Sequence, residues 1–189
     1  MGYLIFPFQI QRCVAKKFSR DKIARLFCML GIAIGIAFSN NVYADEEMSG
    51  RVTAVLDGNT MQISFSDTDV RKVLFAEIDS PELGQEFGQD AKKFLEKILL
   101  RKNVTVQLKG KDRFGNHLAI VKIKGKVDAR IEVLKNGFAW TSEKDPNEEL
   151  EQYRITAQQS RSGLWRQENP IPPWTYRRQQ TMLTPKSSS

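Results

Sequence analysis

Two carboxylates, Asp79 and Glu82, stand on either side of Ser80-Pro81 at the end of an apolar stretch. Residues of these types at this spacing suit two purposes. One is a solvated turn, because Asp-Ser-Pro is ordinary turn chemistry and Glu beside it is cheap on a surface. The other is a cation ligand and a general base held in one rigid loop. The proline fixes the backbone between them, which suits a base that must hold its water closely. A second turn, Asp57-Gly58-Asn59-Thr60, lies at the tip of a predicted hairpin and offers further hard oxygens of the kind that Ca²⁺ takes.

The elements that must hold these residues follow from hydrophobic spacing. Val52, Ala54 and Leu56 alternate with polar neighbours, and Met61, Ile63 and Phe65 do so beyond the turn, which predicts a hairpin. A third strand is predicted over 70–78, where the apolar run from Val73 to Ala76 implies burial on both faces. Ala91, Phe94, Leu95, Ile98 and Leu99 recur at the spacing of one helix face. Strands over 102–108 and 117–124 are joined by a turn at Gly115-Asn116. A short helix over 127–135 closes on Asn136-Gly137. A last helix opens with Asp145 as N-cap, Pro146 at its first position and Glu148 at N3, and ends at Ser162-Gly163. Five strands, with a helix after the third and a helix at the end, describe a mainly β fold. It is a small closed or partly open barrel of the oligonucleotide-binding (OB) type.

The ends of the chain read differently. Residues 1–44 have the order of a signal peptide: basic residues from Arg12 to Arg25, an apolar run over 26–38, then Val42-Tyr43-Ala44 before Asp45. That run is shorter than the ~20 residues a spanning helix needs. The expectation is export to the periplasm or the exterior, with cleavage near Ala44 and no integral membrane segment afterwards. An uncleaved N-terminal anchor is the alternative. Cys13 and Cys28 both fall in this leader, so the remainder has neither a disulfide nor a thiolate metal site. Six of the 29 basic and one of the 22 acidic residues fall there too, which lowers the net charge from +7 to +2. Global basicity is then a weak argument for nucleic acid. Residues 45–167 form one domain, expected to be a monomer. Residues 168–189, with their prolines, Arg177-Arg178 and serine-rich end, read as an extended basic arm and a disordered tail.

Five separated blocks carry a family resemblance: VTAVLDGNT, EIDSPELGQEFGQDAKKFL, KDRFGNHLAIV, VLKNGFAW and AQQSRSGLW. In order and spacing, over about 50–165, they resemble the staphylococcal nuclease (thermonuclease) family. The resemblance implies a five-stranded OB-fold barrel with about three helices and Ca²⁺-dependent hydrolysis of DNA or RNA phosphodiesters. It implies Asp79 as the main Ca²⁺ carboxylate, the Ser80 carbonyl oxygen as a further ligand, and Glu82 as the general base. Asp57 takes a supporting position near the ion, and Thr60 closes its turn.

The chain departs from the family pattern at three positions. Asn59 stands where the family's DGDT motif has its second aspartate, so the site loses a negative charge and Ca²⁺ affinity falls. The two phosphate-binding arginines of the family map onto Leu74 and Asn116. Lys72 shares the face of Leu74 and approaches from about 7 Å farther along the strand, but it cannot reproduce a guanidinium fork. His117, beside Asn116, is either a substitute phosphate donor or acid, or a strand-entry histidine with an ordinary hydrogen bond. Arg113 reads as a solvated loop charge. Each lost transition-state donor costs about 10² to 10³ in rate. The expectation is therefore a weak or inactive nuclease. The alternative is a non-catalytic module that binds nucleic acid, another polyanion or an envelope partner.

Overall fold

The computed structural model describes residues 47–183. The expected signal peptide with its expected cleavage point, both cysteines, and the serine-rich end from 184 onward lie outside the described residues. Among the described residues, no helix is long and apolar enough to cross a membrane.

Strands β1 (Glu47–Val55), β2 (Thr60–Ser64) and β3 (Val70–Phe75) form an antiparallel meander. Next come β4 (Ile78–Asp79), helix α1 (Gly88–Leu99), β5 (Asn103–Lys111), β6 (His117–Ile123) and β7 (Val127–Asp128). The chain then forms α2 (Ala129–Lys135), β8 (Trp140–Thr141), α3 (Glu148–Gln159), a 3₁₀ turn (Gly163–Arg166) and α4 (Pro173–Leu183). The main sheet runs β3-β2-β1-β5-β6-β7, and a parallel pairing of β3 with β6 closes it into a five-strand barrel. Register shifts between Val52 and Ala54 and between Leu108 and Gly110 mark bulges. Such bulges bend β1 and β5 so that a short strand can serve two neighbours. The expected OB-type barrel is therefore present.

The alternation read from the sequence is the alternation that fills the barrel. Val52, Met61, Ile63, Val73, Phe75, Val106 and Val121 are inaccessible or nearly so. Leu95 and Leu99 on α1 and Val133 and Leu134 on α2 pack into the same core. Each such side chain contributes roughly 1.5–3 kcal/mol by leaving water.

Three local expectations are corrected. The third strand does not run on to Ile78: it stops at Phe75, and Glu77 takes a left-handed backbone with φ 66°. The bend sends Ile78 and Asp79 into a separate pairing with Thr141 and Trp140. Arg130, almost fully buried, holds it by donating to Glu77, to the Ala76 carbonyl and to Asp128, the N-cap of α2. The N-cap of α3 is Asn147 rather than Asp145, because the Asn147 side chain accepts from both Glu149 N and Leu150 N. Residues 173–183, expected to be extended, form α4: Pro173 supplies a preset first-turn φ, and the Pro172 carbonyl accepts from Thr175 N and Tyr176 N.

Gly88 opens α1 where a Cβ would lie 1.8 Å from the Glu82 carbonyl oxygen. Gly88→Ala therefore has to push the Glu82 loop outward, at a cost of about 1–3 kcal/mol for an overpacked site. A fall of several degrees in Tm by calorimetry is the expected readout. Arg130→Ala strips Asp128 and Glu77 of their cation. We expect about 3 kcal/mol, the low end for a broken buried pair because Glu77 is partly exposed, measured by urea unfolding.

Candidate active site at the barrel mouth

Two backbone turns bring the acidic loops together. In the first, Leu56 N and Asp57 N donate to the Thr60 carbonyl, and Asn59 N donates to Asp57 Oδ1 at 2.8 Å. In the second, Gln85 N donates to the Glu82 carbonyl at 2.9 Å, while Glu82 N donates to the Gln85 side chain at 3.2 Å. Ser80 ties the two: its buried hydroxyl donates to the Gly58 carbonyl at 3.0 Å. A Cβ on Gly58 would lie 2.7 Å from Ala91 Cβ and 2.9 Å from Ser80 Cβ, so only glycine lets the hairpin tip sit this close to α1.

The result is a cleft of about 780 Å³ at the mouth of the barrel. Asp57, Asn59, Thr60, Lys72, Leu74, Asp79, Ser80, Glu82 and Asn116 all line it, so nearly every residue singled out from the sequence converges on one place. Lys72 lies on the face of Leu74, as strand alternation requires, while Arg71 turns away to pair with Asp69 at 2.7 Å.

His117 is the exception. Asn116 and Leu118 line the cleft, and the residue between them faces the other way, into the field of Lys111, Arg71 and Asp69. Burial, Lys111 and Arg71 together push its imidazole below the usual histidine value. The placement leaves it no direct part in gripping a ligand in the cleft. Asn116 is committed too: its side chain donates to Asp112 Oδ2 at 2.8 Å, inside a turn in which Asp112 Oδ1 also accepts from Phe114 N and Asn116 N. These bonds, that of the Asn116 side chain first, hold the Asp112 carboxyl below its usual range. Arg113 is exposed and lies over the Phe114 ring, 4.7 Å from its centroid.

The sequence reading missed Arg177. Carried in on α4, its Nη2 donates to Asp79 Oδ2 at 2.6 Å, and its Nη1 donates to Asp79 Oδ1 at 3.2 Å and to Glu82 Oε1 at 2.6 Å. One guanidinium thus bridges both site carboxylates. Hydrogen bonding to Asp79, then to Glu82, holds Arg177 above its ordinary value. Asp79 is nonetheless pushed up: burial outweighs the ion pair, and the nearby charges of Glu82 and Asp57 add to it. The only signal in the sequence was Arg177-Arg178 four residues past a Pro-Pro pair and directly after an aromatic anchor, Trp174-Thr175-Tyr176.

For a cation, the donor chemistry is mixed. Asn59 Oδ1 is buried with no hydrogen-bond partner, which is what an oxygen reserved for another ligand looks like. It lines the cleft beside Asp79 and Asp57, and all three bring hard oxygens of the type Ca²⁺ accepts. Against this, no cluster of three or more acidic, histidine or cysteine side chains is gathered for a metal among the described residues. The residues fit a hard divalent cation held with few charges.

Comparison with known proteins agrees with this geometry. Residues 72–167 match the family described as staphylococcal nuclease homologues, from β3 through the 3₁₀ turn. An "Uncharacterized endonuclease" of Haemophilus influenzae is 38% identical over 136 residues, 71% of this chain and 76% of that protein. A protein of the same description from Escherichia coli O157:H7 is 31% identical over 69% of this chain and 86% of its own length. A "Micrococcal nuclease" of Shigella flexneri is 30% identical over 81% of this chain and 94% of its own. With a five-strand barrel, a cleft at its mouth and matches of this extent, the chain belongs to the staphylococcal nuclease family.

Proposed function

We propose that this protein is an exported, divalent-cation-dependent nuclease that hydrolyses phosphodiester bonds of DNA or RNA. The observation that carries the reading is the convergence of Asp79 and Glu82 with Asn59 and Asp57 on one cleft, in a chain of this family. Export rests on the order of residues in 1–44 alone.

Glu82 is the base in this reading. It is half-buried, carried on a loop locked by Gln85 and Pro81, and open to the cleft. It takes a proton from a water whose oxygen attacks phosphorus, while the bond to the leaving ester oxygen breaks and that oxygen is protonated by solvent. Asp79, the Asn59 amide oxygen and the Ser80 carbonyl, with Asp57 in support, would hold Ca²⁺, whose charge would polarise the phosphoryl oxygens. The barrel strands bring Lys72 to the cleft and turn no guanidinium into it, so the strands alone support slow catalysis. The engagement of both carboxylates by Arg177 favours a second reading, a module that binds nucleic acid, another polyanion or an envelope partner without cleaving it.

The deciding test incubates the purified chain with single-stranded and duplex DNA and RNA in Ca²⁺, Mg²⁺, Mn²⁺ or EDTA, beside Glu82→Gln. Cation-dependent cleavage that falls at least about 10²-fold in Glu82→Gln is expected. Salt-sensitive binding without cleavage under any cation would replace the hydrolase with the binding module. The cation site has its own measurement: Asn59→Asp restores a charge to the ligand set, so calorimetric titration should show Ca²⁺ bound about tenfold more tightly. Unchanged affinity would remove Asn59 from the site.

A further inference from the structure

We propose that Arg177, delivered from the C-terminal helix, is the guanidinium that grips the substrate phosphodiester in this cleft, releasing Asp79 and Glu82 to cation and water as it does so. The inference rests on the reading of the cleft as a phosphodiester site.

A phosphate-binding site needs planar, paired N–H donors aimed at one point, and the barrel does not provide them. Leu74 is apolar, the Asn116 amide is spent on Asp112, and Arg113, though it also lines the cleft, lies over the exposed Phe114 ring and pairs with neither site carboxylate. Lys72 is a point charge on an exposed stem. Arg177 is the guanidinium that reaches the two carboxylates at the reacting end of the cleft.

The segment that carries it is built to hold position. Pro173 is buried, and the Trp174 ring stands edge-on to Trp140 with centroids 6.4 Å apart. Tyr176 donates its hydroxyl hydrogen to the Gly84 carbonyl at 3.1 Å, and the Gln85 side chain donates to the Ile171 carbonyl. Arg178, next along the helix, pairs with Glu143 at 3.1 Å in an exposed contact that adds little to this hold. The loop that carries Glu82 is therefore stitched to the segment that carries Arg177 through both Gly84 and Gln85. A mere surface charge would not need this scaffold.

In the resting arrangement the two acidic side chains stand in for the phosphate. They are the only anions the guanidinium holds among the described residues, and its side chain remains 48% exposed, open to an incoming ligand. A divalent cation must take Asp79 oxygens that Arg177 now occupies, and a phosphodiester must take the N–H groups that the carboxylates now occupy. The two events favour each other: each frees the partner the other needs. Cation binding and substrate binding are then coupled through one side chain.

The test uses the full chain with Arg177→Ala, Arg177→Lys and, as a control for charge on the same helix, Arg178→Ala. Calorimetry reads Ca²⁺ affinity without substrate, fluorescence anisotropy reads binding of a labelled single-stranded oligonucleotide in EDTA, and single-turnover assays read cleavage. Arg177→Ala should bind Ca²⁺ about three- to tenfold more tightly, because a half-exposed guanidinium no longer competes for the Asp79 oxygens. It should bind the oligonucleotide more weakly and cleave it about 10² to 10³ times more slowly. Arg177→Lys should recover part of the binding, and Arg178→Ala should change each readout by less than about twofold. Cleavage that is unchanged or faster in Arg177→Ala would overturn the proposal, as would unchanged oligonucleotide affinity or equal losses in Arg178→Ala. If the parent chain cleaves nothing, the hydrolase reading falls while the grip is still judged by the affinities.

Discussion

A buried guanidinium sets the geometry on which the cleft depends. Arg130 sits under the mouth of the barrel, donating to Asp128 at the start of α2, to Glu77 and to the Ala76 carbonyl. Without it β3 has no reason to stop at Phe75: the sequence there is apolar and strand-like, and Glu77 must adopt a backbone that L-residues adopt rarely. The local cost is met by an ion cluster that also caps a helix. Once the chain has turned at Glu77, Asp79 pairs with Trp140 instead of continuing up the barrel wall, and the Ser80-Pro81 loop is aimed over the opening. The acidic site is thus a by-product of a strand forced to end early.

The close approach of the hairpin tip is the second constraint. Gly58 and Gly88 leave no room for a methyl group, and the Ser80 hydroxyl spans what remains. Such contacts fix backbone to backbone, so the spacing of Asp57, Asn59 and Asp79 is set by the turns that carry them. The same rigidity explains how an amide oxygen at Asn59 stays buried without a partner. The turn around it is set by its own hydrogen bonds and by Phe75 N donating to the Asn59 carbonyl, and cannot relax to satisfy it.

Sequence patterning carried the barrel and most of the cleft because both depend on period-two alternation and on short turns, which are local properties. Val52, Met61, Ile63 and Val73 point inward for the reason that Lys72 and Leu74 share a face. His117 shows the limit of adjacency: one residue from Asn116 along the chain, it is on the opposite side of the sheet. The bend at Glu77 was hidden because its cause, Arg130, is 53 residues away. Arg177 was hidden for the same reason, 95 residues from Glu82, in a segment whose prolines suggested an extended arm. Apart from the α3 cap, set at Asn147 rather than Asp145, what escaped the sequence reading were long-range ion pairs, which leave no periodic trace.

All three tryptophans of the chain gather in one cluster, with Trp140 set 5.1 Å from Trp165 and 6.4 Å from Trp174, and Trp174 alone of the three lines the cleft. Trp174 belongs to the C-terminal segment and the other two to the body, so indole emission in this molecule arises where the two meet. The barrel staves contain none and are optically silent at that wavelength. The molecule consequently carries a built-in gauge of how closely α4 sits against the cleft, legible by fluorescence without any label.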